Sequence, residues 1–297
     1  MTTNGAIYII TQDPRYVDLL LGSAASLKRA MPDLPITAFS QFPVNSPLFE
    51  KVISVSASAD GFYDKAHLML QSPYERTLFI DADTSVLEPV PELFTLLDHF
   101  DCAATHEEYL NTDWFKSYPR LDVPDSFPEF NTGIFAFKRS EPTCRVLEEW
   151  GRLYGEYLQE KPNEQLNDQP FFRVAAYYGD VRIATLTREY NCKFRGQGYL
   201  NGSVKILHGH IDFQLKPEHV NRAANVLNAS KRPRVYIAGR VFEQKIVGRL
   251  VGKRVAHKVG RFPEPPESIL RLRAKRLKQV IRERGFSGTL ARMFATH

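Results

Sequence analysis

Cysteine is scarce in this chain. Cys102, Cys144 and Cys192 are the only three among 297 residues, they lie far apart, and no CxxC pair occurs. An odd, scattered set excludes a disulfide-stapled scaffold and favours a reducing compartment, with each thiol a small buried hydrophobe. Long apolar runs are missing as well. No stretch reaches the roughly 18 residues that a bilayer span requires. Met1 to Gly5 lack the basic start of a signal sequence, and the apolar run Ala6 to Ile10 is too short for one. The expectation is a soluble or peripheral protein, cytoplasmic or on the inner face of the membrane. No repeat or low-complexity segment occurs, and 43% hydrophobic against 25% charged residues excludes bulk disorder.

Charge of one sign is unevenly supplied. Residues 231–297 hold 18 Lys/Arg against 4 Asp/Glu, whereas residues 1–230 hold 21 against 30, so the net charge of +5 joins an acidic body to a basic tail. The reading is therefore a body over 1–230 and a basic extension over 231–297. Pro263-Glu264-Pro265-Pro266 reads as a linker. Ile269, Leu270, Leu272, Leu277, Val280 and Ile281 then share one helical face that Gly285 ends. Three readings of the extension stay open: a solvated arm, peripheral attachment to an anionic membrane surface, and nucleic-acid binding. The sparse aromatics, among them Tyr236 and Phe242, lack the interleaving of a base-stacking platform, so nucleic acid is the least favoured.

The body alternates short apolar runs with longer amphipathic ones, the pattern of an α/β sheet built from βαβ units. Strands are expected at Ala6–Ile10, Ile36–Phe39, Val52–Val55, Arg76–Ile80, Gly133–Phe137, Val181–Ala184 and Val204–Leu207. Helices are expected over 15–30, 64–71 and 143–158, from Pro91, and after Pro170. Residues 106–130 read as a long irregular loop, which in a compact domain is functional or mobile.

Chemistry concentrates at strand ends. Leu78-Phe79-Ile80 runs straight into Asp81-Ala82-Asp83. Ligands of open α/β sheets bind at the carboxyl ends of strands, and two carboxylates there are costly without a partner. A hard divalent ion removes that repulsion and commonly bridges to substrate phosphates; an acidic turn is the bland alternative. His208 follows the strand ending at Leu207, and a neutral imidazole suits Mn²⁺ as a third ligand, although His210 competes for that role. Lys65 is suited to neutralising phosphate charge or to a solvated surface. Asn131-Thr132-Gly133 lets backbone approach a ligand closely, or makes a turn. Asp168-Gln169 stands at a helix start, where Asp168 is either functional or an N-cap.

Taken together, these pieces resemble glycosyltransferase family 8, the retaining GT-A enzymes that include glycogenin and bacterial lipopolysaccharide galactosyl- and glucosyltransferases. The resemblance covers about residues 6–212. It is carried by Thr11 to Tyr16, Leu21-Gly22-Ser23, Lys65, Tyr74 to Asp83, Phe130 to Gly133, Asp168-Gln169, Tyr190-Asn191 and Ile206-Leu207-His208. It implies a GT-A, Rossmann-like nucleotide-diphospho-sugar transferase domain, a Mn²⁺ or Mg²⁺ cofactor, a nucleotide-sugar donor (a UDP-sugar first) and a glycan or lipid-linked acceptor of the hexose. Residue by residue it implies metal ligation by Asp81, Asp83 and His208. Thr11, Tyr16, Lys65, Asp81 and Ala82 would contact the donor, and Asn131, Asp168 and Gln169 would face the transferred sugar and the reaction centre. The chain departs from the family in two places. Lys216-Pro217 comes late after His208, where the family sets its diphosphate clamp, and Pro170 follows the Asp-Gln pair.

Two rivals define what would overturn this expectation. A nucleotidyltransferase of similar fold would open with a glycine-rich basic loop, and Thr11-Gln12-Asp13-Pro14 is neither. A non-catalytic sugar-nucleotide or membrane-binding protein would bind without turnover.

Overall fold

Short apolar runs bounded by turn residues become the strands of a central sheet. A computed structural model describes residues 3–56, 58, 61–108, 123–161, 167–209, 217–237, 240–245 and 255–261. In chain order its first half runs β1 Asn4–Ile10, α1 Tyr16–Ala30, β2 Ile36–Ser40, β3 Lys51–Ser54, α2 Gly61–Met69, β4 Arg76–Ile80, β5 Thr84–Val86, α3 Glu92–Leu96 and β6 Cys102–His106. It continues with β7 Phe130–Lys138, α4 Glu141–Glu160, α5 Gln169–Tyr178, β8 Ile183–Leu186, a 3₁₀ turn at Arg188–Tyr190, β9 Cys192–Lys193, β10 Gln197–Leu200 and β11 Ile206–His208. Helix α6 (Pro217–Asn228) and strands β12 Arg234–Ile237, β13 Arg240–Lys245 and β14 Val255–Arg261 follow.

Seven strands form the main sheet in the order β3-β2-β1-β4-β7-β6-β8. Strand β7 alone runs against its neighbours β4 and β6, and every other pairing is parallel. That reversal matters for function. It brings the first residues of β7 to the edge where β4 ends, so Ile80 pairs with Ile134 and the Asp81 N–H bonds the Gly133 carbonyl at 2.8 Å.

Both faces of the sheet are covered, which is why its strands read as continuous apolar runs rather than alternations. On one face Ile7, Phe79, Phe135 and Phe137 pack with Trp150 and Tyr154 of α4 and Phe171 and Phe172 of α5. On the other, Tyr8, Ile10, Leu78 and Ile80 pack with Leu20, Ala24 and Leu27 of α1 and with Leu93 and Phe94 of α3. Each large side chain so buried contributes about 2–3 kcal/mol. Trp150 and Phe172 also meet edge to face, with ring centroids 5.2 Å apart. Cys102 is a buried free thiol inside this packing; Cys192, in β9, is buried and free as well, and burial pushes its thiol up to about 12.

A second sheet, in the order β5-β11-β9, is the device that completes the site. Its register sets His208 opposite Thr84 on one side and Lys193 on the other.

The expected boundary after residue 230 does not coincide with a change to helix. Strands β12 to β14 join β10 in a four-stranded sheet, with Tyr199 opposite Val235, so residues that the charge count assigns to the extension are strand paired with the body. By contacts the chain divides into units 1–261 and 262–297. The Pro-rich linker and the apolar face from Ile269 to Ile281 lie outside the described residues, as do positions 109–122 of the long loop. Among the described residues, no helix is long and apolar enough to cross a membrane.

Candidate active site

The residues at the carboxyl end of β4 converge with the end of β11. One ligand atom from each of Asp81, Asp83 and His208 lies within 4.8 Å of the others. His208 Nε2 is 3.3 Å from Asp83 Oδ1 and 3.6 Å from Asp81 Oδ2. Asp83 and His208 are buried, while the Asp81 side chain is 32% exposed, so the group is closed behind and open on the Asp81 side.

Local structure explains why two acids tolerate this position. The turn after β4 is pinned from below by hydroxyls. Tyr8 Oη, Ser23 Oγ and Thr84 Oγ1 form a buried chain of 3.0 and 2.6 Å bonds, and Thr84 Oγ1 donates to the Asp81 carbonyl at 2.9 Å. Gly209, in the left-handed region at φ 97°, turns the chain away just after His208, and its N–H bonds the Asp83 carbonyl at 3.2 Å. Lys65, buried on α2, sets its ammonium 3.3 Å from Asp81 Oδ1 and 3.1 Å from Thr132 Oγ1, above the Phe79 ring.

Electrostatics follow the geometry. Burial alone would depress the His208 imidazole, but the facing Asp83 and then Asp81 carboxylates outweigh it and leave its pKa raised. Tyr16, half-buried at the start of α1, has its phenol raised by burial first and then by Asp83 and Asp81, which puts it within reach of the same field.

Two carboxylates and an imidazole are the donor set of a hard-to-borderline divalent ion, Mg²⁺ or Mn²⁺. A side chain at Gly133 would begin 2.5 Å from Asp81 Oδ2 and 2.9 Å from His208 Nε2, so the absence of one lets Asp81 and His208 approach as closely as they do.

Behind His208 a polar chain runs through Asn191 and Asn131, both in the motifs above, to Glu107 and Lys193, which motif reading misses. His208 Nδ1 is 2.8 Å from Asn191 Oδ1, Asn191 Nδ2 donates to Asn131 Oδ1 at 2.8 Å, and Asn131 Nδ2 donates to Glu107 Oε1 at 2.6 Å. The Lys193 ammonium lies 2.9 and 3.3 Å from the two Glu107 oxygens. Burial would raise the Glu107 carboxyl, but the Lys193 charge and the bond from Asn131 bring it below its ordinary value.

No protein-family model matches the chain, and no curated protein matches it. Among solved structures it is similar to mouse xyloside xylosyltransferase 1, with a TM-score of 0.48 and 16% identity over 72% of this chain and 100% of that one. It is similar also to the galactosyltransferase LgtC in complex with donor and acceptor sugar analogs, at 0.49 and 14% over 75% and 96%. These likenesses are distant, and the functional reading rests on the site itself.

The other sequence-predicted residues take varied positions. Thr11 is buried at the end of β1, next to Gln12, whose φ of 73° marks a strained turn held by the Gln41 side chain and by Ser58 and Asp64. Ala82 is buried between the two acids and packs into the α1-side core. Asn131 to Gly133 lie inside β7, which removes the turn reading, and the Asn131 amide is committed inward rather than toward an open face. Asp168 and Gln169 are buried at the start of α5. Asp168 stands at the N-cap position of α5 without a side-chain capping bond, and its carbonyl accepts from the Trp150 indole at 3.1 Å. His210 and Lys216 lie outside the described residues.

Proposed function

We propose that the chain is a metal-dependent, retaining glycosyltransferase that moves a hexose from a nucleotide-diphosphate sugar, a UDP-sugar first, to a glycan or lipid-linked acceptor. One observation carries the reading: Asp81, Asp83 and His208 converge at a strand's carboxyl edge, each with one ligand atom within 4.8 Å of the others. The open Asp81 side faces the donor phosphates.

When bound, the cation supplies Lewis-acid stabilisation of the charge on the departing diphosphate. The chain's own residues do the rest. Asp81 and Asp83 hold the charge balance, and Asp81 also reaches the ribose. Lys65 turns its ammonium from Asp81 toward a phosphate. Thr11 and Tyr16 flank the nucleoside. Asp168 and Gln169 orient the transferred sugar, whose transition state is oxocarbenium-like. In this reading the basic segment beyond residue 261 attaches the enzyme to an anionic membrane surface.

The test is donor turnover by purified protein. A panel of nucleotide sugars with Mn²⁺, Mg²⁺ or EDTA is assayed for released nucleoside diphosphate. Metal-dependent release from one donor, lost in Asp83→Asn, is the expected result. Metal-dependent nucleotide binding without release leaves a binding protein, and neither binding nor release removes the assignment.

A further inference from the structure

The polar chain behind His208 has a direction, and that direction can be deduced without seeing a hydrogen. The Gly133 backbone N–H only donates, and the atom it meets at 3.0 Å is therefore the Asn131 oxygen, Oδ1. The Asn131 amino group must then point the other way, where Glu107 Oε1 accepts it at 2.6 Å. Glu107 is an acceptor on both oxygens, because Lys193 donates to each. The same Asn131 oxygen faces Asn191, so Asn191 presents its amino group to it at 2.8 Å and turns its own oxygen to His208. An amide oxygen cannot donate. The ring nitrogen 2.8 Å from it, Nδ1, must carry the proton.

We infer that Asn191, aligned by Asn131 and Glu107, is a positioning residue that locks His208 with its proton on Nδ1 and its Nε2 lone pair aimed at the Asp81–Asp83 pair. The purpose of this relay, metal capture, rests on the reading of the site proposed above; the tautomer itself does not. Asn191 is wholly buried and Asn131 nearly so, hence solvent cannot supply a substitute partner. Outer-shell partners of a ligating histidine fix its ring orientation and tautomer, and their loss typically lowers metal affinity 10–100-fold.

The experiment uses the full chain labelled with ¹⁵N-histidine. Imidazole nitrogen shifts are read in EDTA at alkaline pH, where the ring is neutral, and Mn²⁺ affinity is measured separately by EPR titration. In the wild-type protein His208 is expected as a single Nδ1–H tautomer. Asn191→Leu, which removes the acceptor, is expected to give mixed tautomers and a loss of Mn²⁺ affinity of about 10–100-fold. Asn191→Asp keeps an acceptor for Nδ1–H. It is expected to retain the tautomer and most of the affinity, at reduced thermal stability, because its carboxylate now faces the Asn131 oxygen. If Asn191→Leu does not fold, the wild-type tautomer and the Asn191→Asp variant still decide the matter. An Nε2–H imidazole in the wild-type protein, or a folded Asn191→Leu with wild-type tautomer and affinity, overturns the relay and leaves the metal site standing. Absence of Mn²⁺ binding by the wild-type chain overturns the metal reading, and with it the relay's purpose, whatever the tautomer.

Discussion

The His208 ring occupies the space in which a side chain at Gly133 would begin, with Cε1 the nearest atom and Nε2 2.9 Å away. A strand residue thus sets how closely a histidine from a different sheet approaches two carboxylates. Gly133→Ala drives a methyl group between Asp81 and His208. Overpacking of this kind costs about 1–3 kcal/mol, and displacing a ligand costs more than displacing its supports. The expected outcome is a loss of Mn²⁺ affinity of at least about tenfold, with a thermal midpoint lowered by a few degrees. Calorimetric titration and thermal melts measure both. A variant that binds metal as the wild type does would show that His208 is not a ligand.

Lys65 would compete with a cation held in the proposed site for the same carboxylate. The ammonium stands 3.3 Å from Asp81 Oδ1, so it neutralises the acid while no metal is present. Lys65→Met removes that competitor. Metal affinity should rise about fivefold, equivalent to about 1 kcal/mol for a partly exposed pair. Donor KM should rise in the same protein, because a phosphate partner is gone. The two changes in opposite directions separate this role from a general loss of structure, which would weaken both.

How much of this was legible in the sequence varies with the physics of each element. The sheet was, because strands such as Ala6–Ile10 and Leu78–Ile80 are buried on both faces and read as apolar runs. The meeting of Asp81, Asp83 and His208 was, because paired acids after such a run demand a partner. The β-structure of Arg234–Ile237, Arg240–Lys245 and Val255–Arg261 was not: Arg234 is buried and donates to the Leu227 and Gly202 carbonyls, so a core position is filled by a charged residue that reads as part of a basic tail. Strands β5 and β9 have three and two residues, too short for any periodicity, whereas β11 was legible as the apolar run ending at Leu207. Glu107 escaped notice because its role depends on Asn131 and Lys193, distant in sequence and joined only by the fold. The Asn131 motif was visible, but its inward commitment depends on that same fold.

The imidazole gives opposite pH slopes to the metal-free and metal-loaded protein. Its folded pKa is raised by the facing acids despite burial. The stabilisation from protonated His208 is therefore fully present below the unfolded value of about 6.5 and is lost as pH rises through the folded one. A cation needs Nε2 bare, so its affinity climbs over the same interval. Between about pH 6 and 8, melts in EDTA should show His208-linked stability falling, while the increment from added Mn²⁺ grows. His208→Gln should flatten both. Parallel slopes in wild type and variant would mean that other groups set the dependence.

Asp101 controls the acid limb of stability. Its buried carboxylate accepts from Arg182 Nε and Nη2, both at 3.0 Å, and from the Arg182 N–H at 2.9 Å, with Lys138 Nζ 3.2 Å away. It thereby ties the start of β6 to the residue leading into β8 and to the end of β7. The Arg182 bonds, against the opposing effect of burial, hold this carboxyl far below the ordinary carboxylate range. A depressed folded pKa gives stability that is present above the unfolded value of about 3.9 and is lost as pH falls below it toward the folded value. Arg182 is itself largely exposed, so solvent screening limits the contribution at neutral pH to about 1 kcal/mol. Asp101→Asn should cost about that much in urea denaturation at pH 7, and the cost should shrink steadily from about pH 5 toward pH 3 as the wild-type protein loses the same interaction. A cost that stays constant across that range would mean that the substituted amide is penalised for its packing rather than for the missing charge.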